Sequence, residues 1–304
     1  MGKKLVVFMS LLLVTMGCAS NVNTSVTEQK NNHESNVVQE EKQEEVSAEE
    51  ITENTDSEKL EVDKQKQELE NLALEVNGKV YGESSQFSEY VTGVKTRLNT
   101  EEKVMALTLD ACGGENGSGY DEELITFLIE NDIKADLFVN ARWIDEQYEA
   151  FVELAANPLF TIQNHGTEHK PLSVTPRSAW GISSTSSQEE IVEEIMENQM
   201  KIFGITGEIP QYFRSGTAFY DETAVQIAED LGVQVVNFNV IGDGGATFTN
   251  EEVSQEMLKA QPGSIVILHM NQPQSETAEG VKDAVLALLE QGFSFVHLNE
   301  FDLE

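Results

Sequence analysis

The chain predicts an α/β domain built on a parallel sheet that closes, or nearly closes, into a barrel and is preceded by an acidic tether. Two observations carry this. From about Val76 to Glu304, apolar strand-like runs alternate about seven times with amphipathic helical stretches, which is the pattern of strands joined by crossover helices. Upstream, residues 19–75 hold almost no aromatic side chains and are dense in Glu, Gln, Asn, Ser and Lys, too little apolar surface to offset the entropy of ordering. A doubly wound open sheet is the alternative, because periodicity does not distinguish it from a barrel.

The elements follow in order. Leu5 to Met16 is an apolar run behind a short basic start, too short to span a bilayer and suited to a secretory signal. TMGC, ending at Cys18, resembles the lipobox of bacterial lipoproteins, so residues 1–18 are expected to be a signal with Cys18 as the acylated residue. That would place the protein outside the cell, on the outer face of the cytoplasmic membrane, or secreted if the signal is an ordinary one. Residues 19–75 form the disordered acidic linker, with Ile51 to Val76 helical by propensity. Residues 76–304 form the domain, whose only cysteine, Cys112, rules out an internal disulfide.

Within the domain, VMALTLDA (104–111) predicts a strand and DEELITFLIEND a helix; ADLFVNARWI (135–144) predicts a strand and EQYEAFVELAAN a helix. FTIQNHG predicts the next strand. A helix follows from about Glu189, with Ile191, Val192, Ile195, Met196, Ile202 and Phe203 on one side, ending at Gly204. QYFRSG, a helix from Asp221 to Leu231, VQVVNFNVI, SIVILHM, a helix from Thr277 to Gln291 and FSFVHL complete the series.

Barrels and open parallel sheets both place chemistry at the C-terminal ends of their strands. The polar residues that interrupt apolar runs there are Asp110, Asn140, Asn164 with His165 and His169, Arg214, Asp243 and His269. His165 and His169 are four apart and can face one cation; two imidazoles and a carboxylate make a common open zinc site. The plainer reading has His165 ending a strand and His169 on a solvated loop. The net charge of −35 disfavours nucleic acid and anionic lipid as partners. Cys112 reads as a small packed residue at a strand end, GGENGSG as a flexible lip, and His297 as a core or edge residue.

With these residues in place, the domain resembles the polysaccharide deacetylase family, also described as the NodB-homology domain or carbohydrate esterase family four. TLDA (108–111) corresponds to its TFDD, NHGTEH (164–169) to its Asn-His-Ser/Thr-x-x-His, FRSGTAFYD to its arginine-bearing loop and IVILH, ending at His269, to its closing Leu-His. The resemblance implies a distorted parallel (β/α)7-type barrel and a hydrolase that removes N-acetyl groups from peptidoglycan or a chitin-like glycan. It implies a divalent metal, zinc first, with cobalt, manganese or nickel as alternatives, held by His165 and His169. Asp110 takes the role of catalytic base, His269 of acid, Arg214 of the base's partner, and Asp243 of a support for His269 or Arg214. Asn140, Asn164, Ser215 and Trp180 are expected on the substrate side, and the protein is expected to be a monomer.

The chain departs from the family in two places. Ala111 stands where the metal-binding aspartate belongs, and Gly216 with Thr217 replaces a proline and an aromatic. For the first, three outcomes are open: Asp110 itself ligates the metal; His165 and His169 are joined by Asn140, Asp136 or water; or the chain is a glycan-binding relative without activity. An O-acetyl esterase is compatible with the same site.

Overall fold

The computed structural model describes residues 48–304 with the exception of Asn116, and side chains within the first helix from Lys59 onward. The signal reading, Cys18 and most of the linker lie outside the described residues. The first described element, α1 (Ala48–Asn77), is a helix, and its C-terminal half buries Leu69 and Val76 against the domain. The linker therefore gives way to ordered structure well before residue 75. Sparse apolar residues suffice for this because they fall on one face: Leu69, Leu72, Ala73 and Val76 are spaced by three and four.

The strands are β1 (Val104–Ala111), β2 (Ala135–Val139), β3 (Phe160–Asn164), a small antiparallel hairpin β4 (Ser178–Ala179) and β5 (Ile182–Ser183), then β6 (Tyr212–Phe213), β7 (Gln234–Val235), β8 (Val240–Ile241), β9 (Ser264–His269) and β10 (Ser294–Phe295). The main sheet is parallel, in the order β7-β6-β3-β2-β1-β9-β8. β10 pairs with the first residues of β1, on the edge that β2 takes further along, since β9 occupies the other edge at Met105. β7 and β8 stand at opposite ends of this order, yet only residues 236–239 separate them. Five extended steps reach at most roughly 17 Å, so the sheet must curl until its edges nearly meet. This is the distorted barrel that the sequence predicts.

Alternation along β1 sorts its side chains. Met105, Leu107, Leu109 and Ala111 face outward into a core shared with α2 (Glu122–Glu130), α3 (Ala141–Glu146), α4 (Tyr148–Ala155), α7 (Asn250–Met257) and α8 (Thr277–Glu290). Val104 and Ala106 face inward with Phe138, Phe238, Ile265 and Ile267. A further cluster packs α1, α5 (Gln188–Thr206) and α6 (Glu222–Asp230) together.

Several boundaries differ from the expected ones. The run 135–144 is not one strand: Asn140 accepts the Arg142 N–H and starts α3. α5 runs through Gly204 and stops at Gly207, whose φ of 75° forms the left-handed cap. VQVVNFNVI divides into β7 and β8, and α7 was not expected. Among the described residues no helix is long and apolar enough to cross a membrane.

Candidate active site

β1 delivers Asp110 to the inside of the barrel at its C-terminal end, in register with His269 on β9. Asp110 is 3% exposed, and its Oδ1 accepts a 2.7 Å hydrogen bond from Nη1 of Arg214, the residue that follows β6. Four of the five guanidinium N–H groups are used: Nη1 also donates to Thr108 Oγ1, Nε to the Val236 carbonyl and Nη2 to that of Asn237. Phe138 and Phe238 flank it, their ring centres 4.2 and 5.6 Å from its carbon. Burial alone would raise the Asp110 pKa; the charges of Arg214, His165 and His269 outweigh it and hold the group below the usual carboxylate range.

On the neighbouring strand β9, His269 Nδ1 lies 2.9 Å from Asp243 Oδ1. Asp243 is itself fixed, because its other oxygen accepts the His269 backbone N–H and the Thr277 hydroxyl. Burial would lower the His269 pKa, but the Asp243 carboxylate prevails and raises it well above the ordinary value. Asp243 thus orients His269 and does not reach Arg214's hydrogen bonds.

His165 stands behind Asp110. Its Nδ1 is 2.8 Å from the Arg214 carbonyl, which can only accept, so Nδ1 carries a proton, and in the neutral ring Nε2 holds the lone pair. That Nε2 faces Asp110 Oδ2 at 3.6 Å and Cys112 Sγ at 3.8 Å. His169 lies edge-on to His165, ring centres 5.0 Å apart, and its buried Nε2 has no hydrogen-bond partner. Among the described residues, Cys112, His165 and His169 form a cluster whose ligand atoms lie within 4.8 Å of one another. Burial would raise the Cys112 pKa, yet His169, His165 and His269 carry it well below the ordinary thiol value, while burial, which would lower His165, is overcome chiefly by Asp110. These donors fit a divalent metal: two imidazole nitrogens and a sulfur converge, and one nitrogen is buried without any other partner.

The remaining expected residues fall elsewhere. Asn140 and Asn164 are wholly buried, and their amides bond inside the fold: Asn140 to the His165 and Gly166 carbonyls, Asn164 to the Ile195 carbonyl and Gln199. They hold the histidine loop and are not free to meet a substrate. Ser215 gives its hydroxyl to the Phe219 carbonyl. Trp180 is 77% exposed, stands edge-on to Phe219, and lines a cavity of about 450 Å³ together with Glu89, Asp110, Thr217, Phe248 and His269. Asp136 bonds Thr161 and the Leu298 N–H, away from the cluster.

Cys112 is the residue whose sequence reading changes most. Alternation could have flagged it, since 110 and 112 share a face. Glu194 is a second residue that the sequence reading passed over. Buried on α5, it accepts the Glu168 and Lys170 N–H groups and so holds the loop between the histidines; burial pushes its pKa up to about 7. A glutamate amid Ile191, Val192, Ile195 and Met196 was the available signal.

Residues 97–236 match the family model described as polysaccharide deacetylase. No curated protein matches the chain at the sequence level. Among solved structures, a CE4 family pseudoenzyme from Bacillus anthracis is 22% identical with a TM-score of 0.57, over 68% of this chain and 67% of that one. A mutant of the same protein, described as having restored enzymatic activity, is 24% identical with a TM-score of 0.57, over 68% and 70%. Bacillus subtilis PdaA, described as a family 4 carbohydrate esterase, is 22% identical with a TM-score of 0.57, over 72% and 95%. These likenesses establish the fold, and together with the sequence match they support the polysaccharide deacetylase family.

Proposed function

We propose that this protein is a metal-dependent hydrolase that removes acetyl groups from an N-acetylated polysaccharide of the cell-wall or chitin type, acting outside the cell and anchored through Cys18. The observation that carries the reading is that Asp110 and His269, each locked to its own partner, line one cavity from neighbouring strands, with His165 directly behind Asp110.

A divalent metal held by His165 and His169 would polarise the acetyl carbonyl and make hydroxide available near neutral pH. The protein's residues supply the rest. Asp110, kept ionised by Arg214, accepts a proton from the attacking water. His269, kept protonated by Asp243, gives its proton to the departing sugar amine. Trp180 and Phe248 offer apolar faces to a sugar ring. Attack on an ester carbonyl places the same demands, so acetylated xylan is a second candidate substrate.

Ala111 favours a competing reading, a glycan-binding relative without activity. Acetate release from N-acetylglucosamine oligomers and from acetylated xylan, measured with zinc or cobalt added, separates them. We expect release that is abolished in His165→Ala and in His169→Ala, with little change in circular dichroism. No release from either polymer at any metal loading would leave the binding reading in possession. Full activity in a variant that binds no metal would remove the metal from the mechanism.

A further inference from the structure

We propose that Cys112 supplies the third metal ligand, a thiolate in place of the carboxylate that Ala111 cannot provide. The inference rests on the reading of His165 and His169 as metal ligands.

Chain geometry explains why residue 111 is not the ligand here. Ala111 belongs to the outward row of β1, packed with Leu107 and Leu109 against the helices. The next residue returns to the inward face that carries Asp110. The chain is then held in place: the Ala111 carbonyl accepts the Asn140 N–H, and the Cys112 carbonyl accepts a bond from Arg142 Nη2. Gly113 turns away with a φ of 68°, and a Cβ there would lie 2.5 Å from the Trp143 nitrogen. ACGG is therefore a fitted turn that aims the sulfur, in contrast to a flexible lip.

The far side of the cluster is fitted too. His169 adopts a φ of 63°, unusual for a side-chain-bearing residue, and presses against Gly216, where a Cβ would come within 2.3 Å of the imidazole Cγ. The glycine at the family's proline position thus admits His169. Of the departures from the family pattern, the one at Gly216 bears directly on this cluster.

Donor atoms gather around one point. With Nδ1 of His165 donating to Arg214, three electron-rich atoms converge: His165 Nε2, Asp110 Oδ2 at 3.6 Å and Cys112 Sγ at 3.8 Å. His169 Nε2 adds a fourth, buried and unpartnered. In a tetrahedral zinc site the nitrogen–sulfur edge is roughly 3.5 Å, close to the observed 3.8 Å. A thiolate with two imidazoles keeps the charge of a carboxylate with two imidazoles, leaves a coordination position open, and frees Asp110 for proton transfer. Thiolate is a soft donor, so the site is expected to select zinc and cobalt over magnesium and manganese.

The test is cobalt titration followed by absorbance, in the full chain carrying Cys18→Ala so that Cys112 is the sole thiol. We expect one equivalent to bind with a thiolate-to-cobalt charge-transfer band in the near ultraviolet. Cys112→Ser should lose the band and bind cobalt about a hundredfold more weakly, the upper end of what losing a supporting contact causes. Cys112→Asp should bind cobalt without the band. Visible cobalt bands with no charge-transfer band, or unchanged affinity in Cys112→Ser, would overturn the sulfur ligand and leave His165 and His169 standing. No cobalt binding in the parent would overturn both ligand readings. A charge-transfer band in a protein that releases no acetate would keep the sulfur ligand and remove the hydrolase.

Discussion

The two sides of the candidate site differ in how completely their polar atoms are used. On one side Asp110 is closed by Arg214 and His269 by Asp243, and both partners are bonded again to the fold. On the other, Cys112, His165 and His169 turn donor atoms toward one another, and one nitrogen has no partner. Buried polar groups are ordinarily bonded, so the paired side holds its geometry without a ligand, and the unpartnered nitrogen among three converging donors is the feature that calls for explanation.

The most severe way to break the paired side is Arg214→Met, which strands the buried Asp110 carboxylate. We expect a loss of about 3–5 kcal/mol in urea unfolding at neutral pH, partly recovered by adding Asp110→Asn. A change below 1 kcal/mol would show that the pair does not hold the barrel rim. Next comes Asp243→Asn, expected to lower turnover about a hundredfold. The His269 pKa, raised in the parent, should fall. Because protonated His269 is the working form, the alkaline limb of the rate profile should move to lower pH. An unmoved limb would assign that limb to another group.

The open side is sharpened by metal itself. Zinc at ten times its Kd should stabilise the parent by about 1.4 kcal/mol and leave His165→Ala unaffected, read as a shift in thermal midpoint. Trp180→Ala, outside both halves, should raise KM about threefold to tenfold with turnover nearly unchanged.

The smallest effect lies far from the site. Glu222 accepts bonds from the Ser85 hydroxyl and from the Ser85 and Gln86 N–H groups; partial burial works against them, yet they carry its pKa down to about 2 from 4.5. A lowered folded pKa gives stability that is present above 4.5 and fades as pH falls toward 2. Glu222→Gln should flatten that acid limb of the stability curve.

How much of this was legible in the sequence depended on length and repetition. β1, β9, α6 and α8 are long or strongly patterned, and the sequence shows them close to their true bounds. β7 and β8 hold two residues each inside one apolar run, and the break at 236–239 is imposed by the curl of the sheet, a tertiary cause with no local signal. α7 buries only Val253 and Met257, so its polar remainder hid it. Asp110, His165, His169, Arg214 and His269 could be singled out because polar residues at strand ends stand out against apolar runs, and the fold brings them together. Asn140 and Asn164 stood out equally, but their amides serve the backbone. Cys112 was read as a packed residue because a cysteine is as much at home in a core as on a metal, and only its nearness to two histidines in the fold raises the other use.

Residues 81–91 lie upstream of the stretch that matches the family, and they gird the domain. Tyr81 bonds Asp230, Ser85 and Gln86 bond Glu222, Ser88 pairs with Tyr220, and the Glu89 carbonyl accepts from Asn237 beside Arg214's anchor. Glu89 also lines the cavity. A chain begun at residue 97 would keep every residue of the proposed chemistry and lose part of the wall of the cavity beside it.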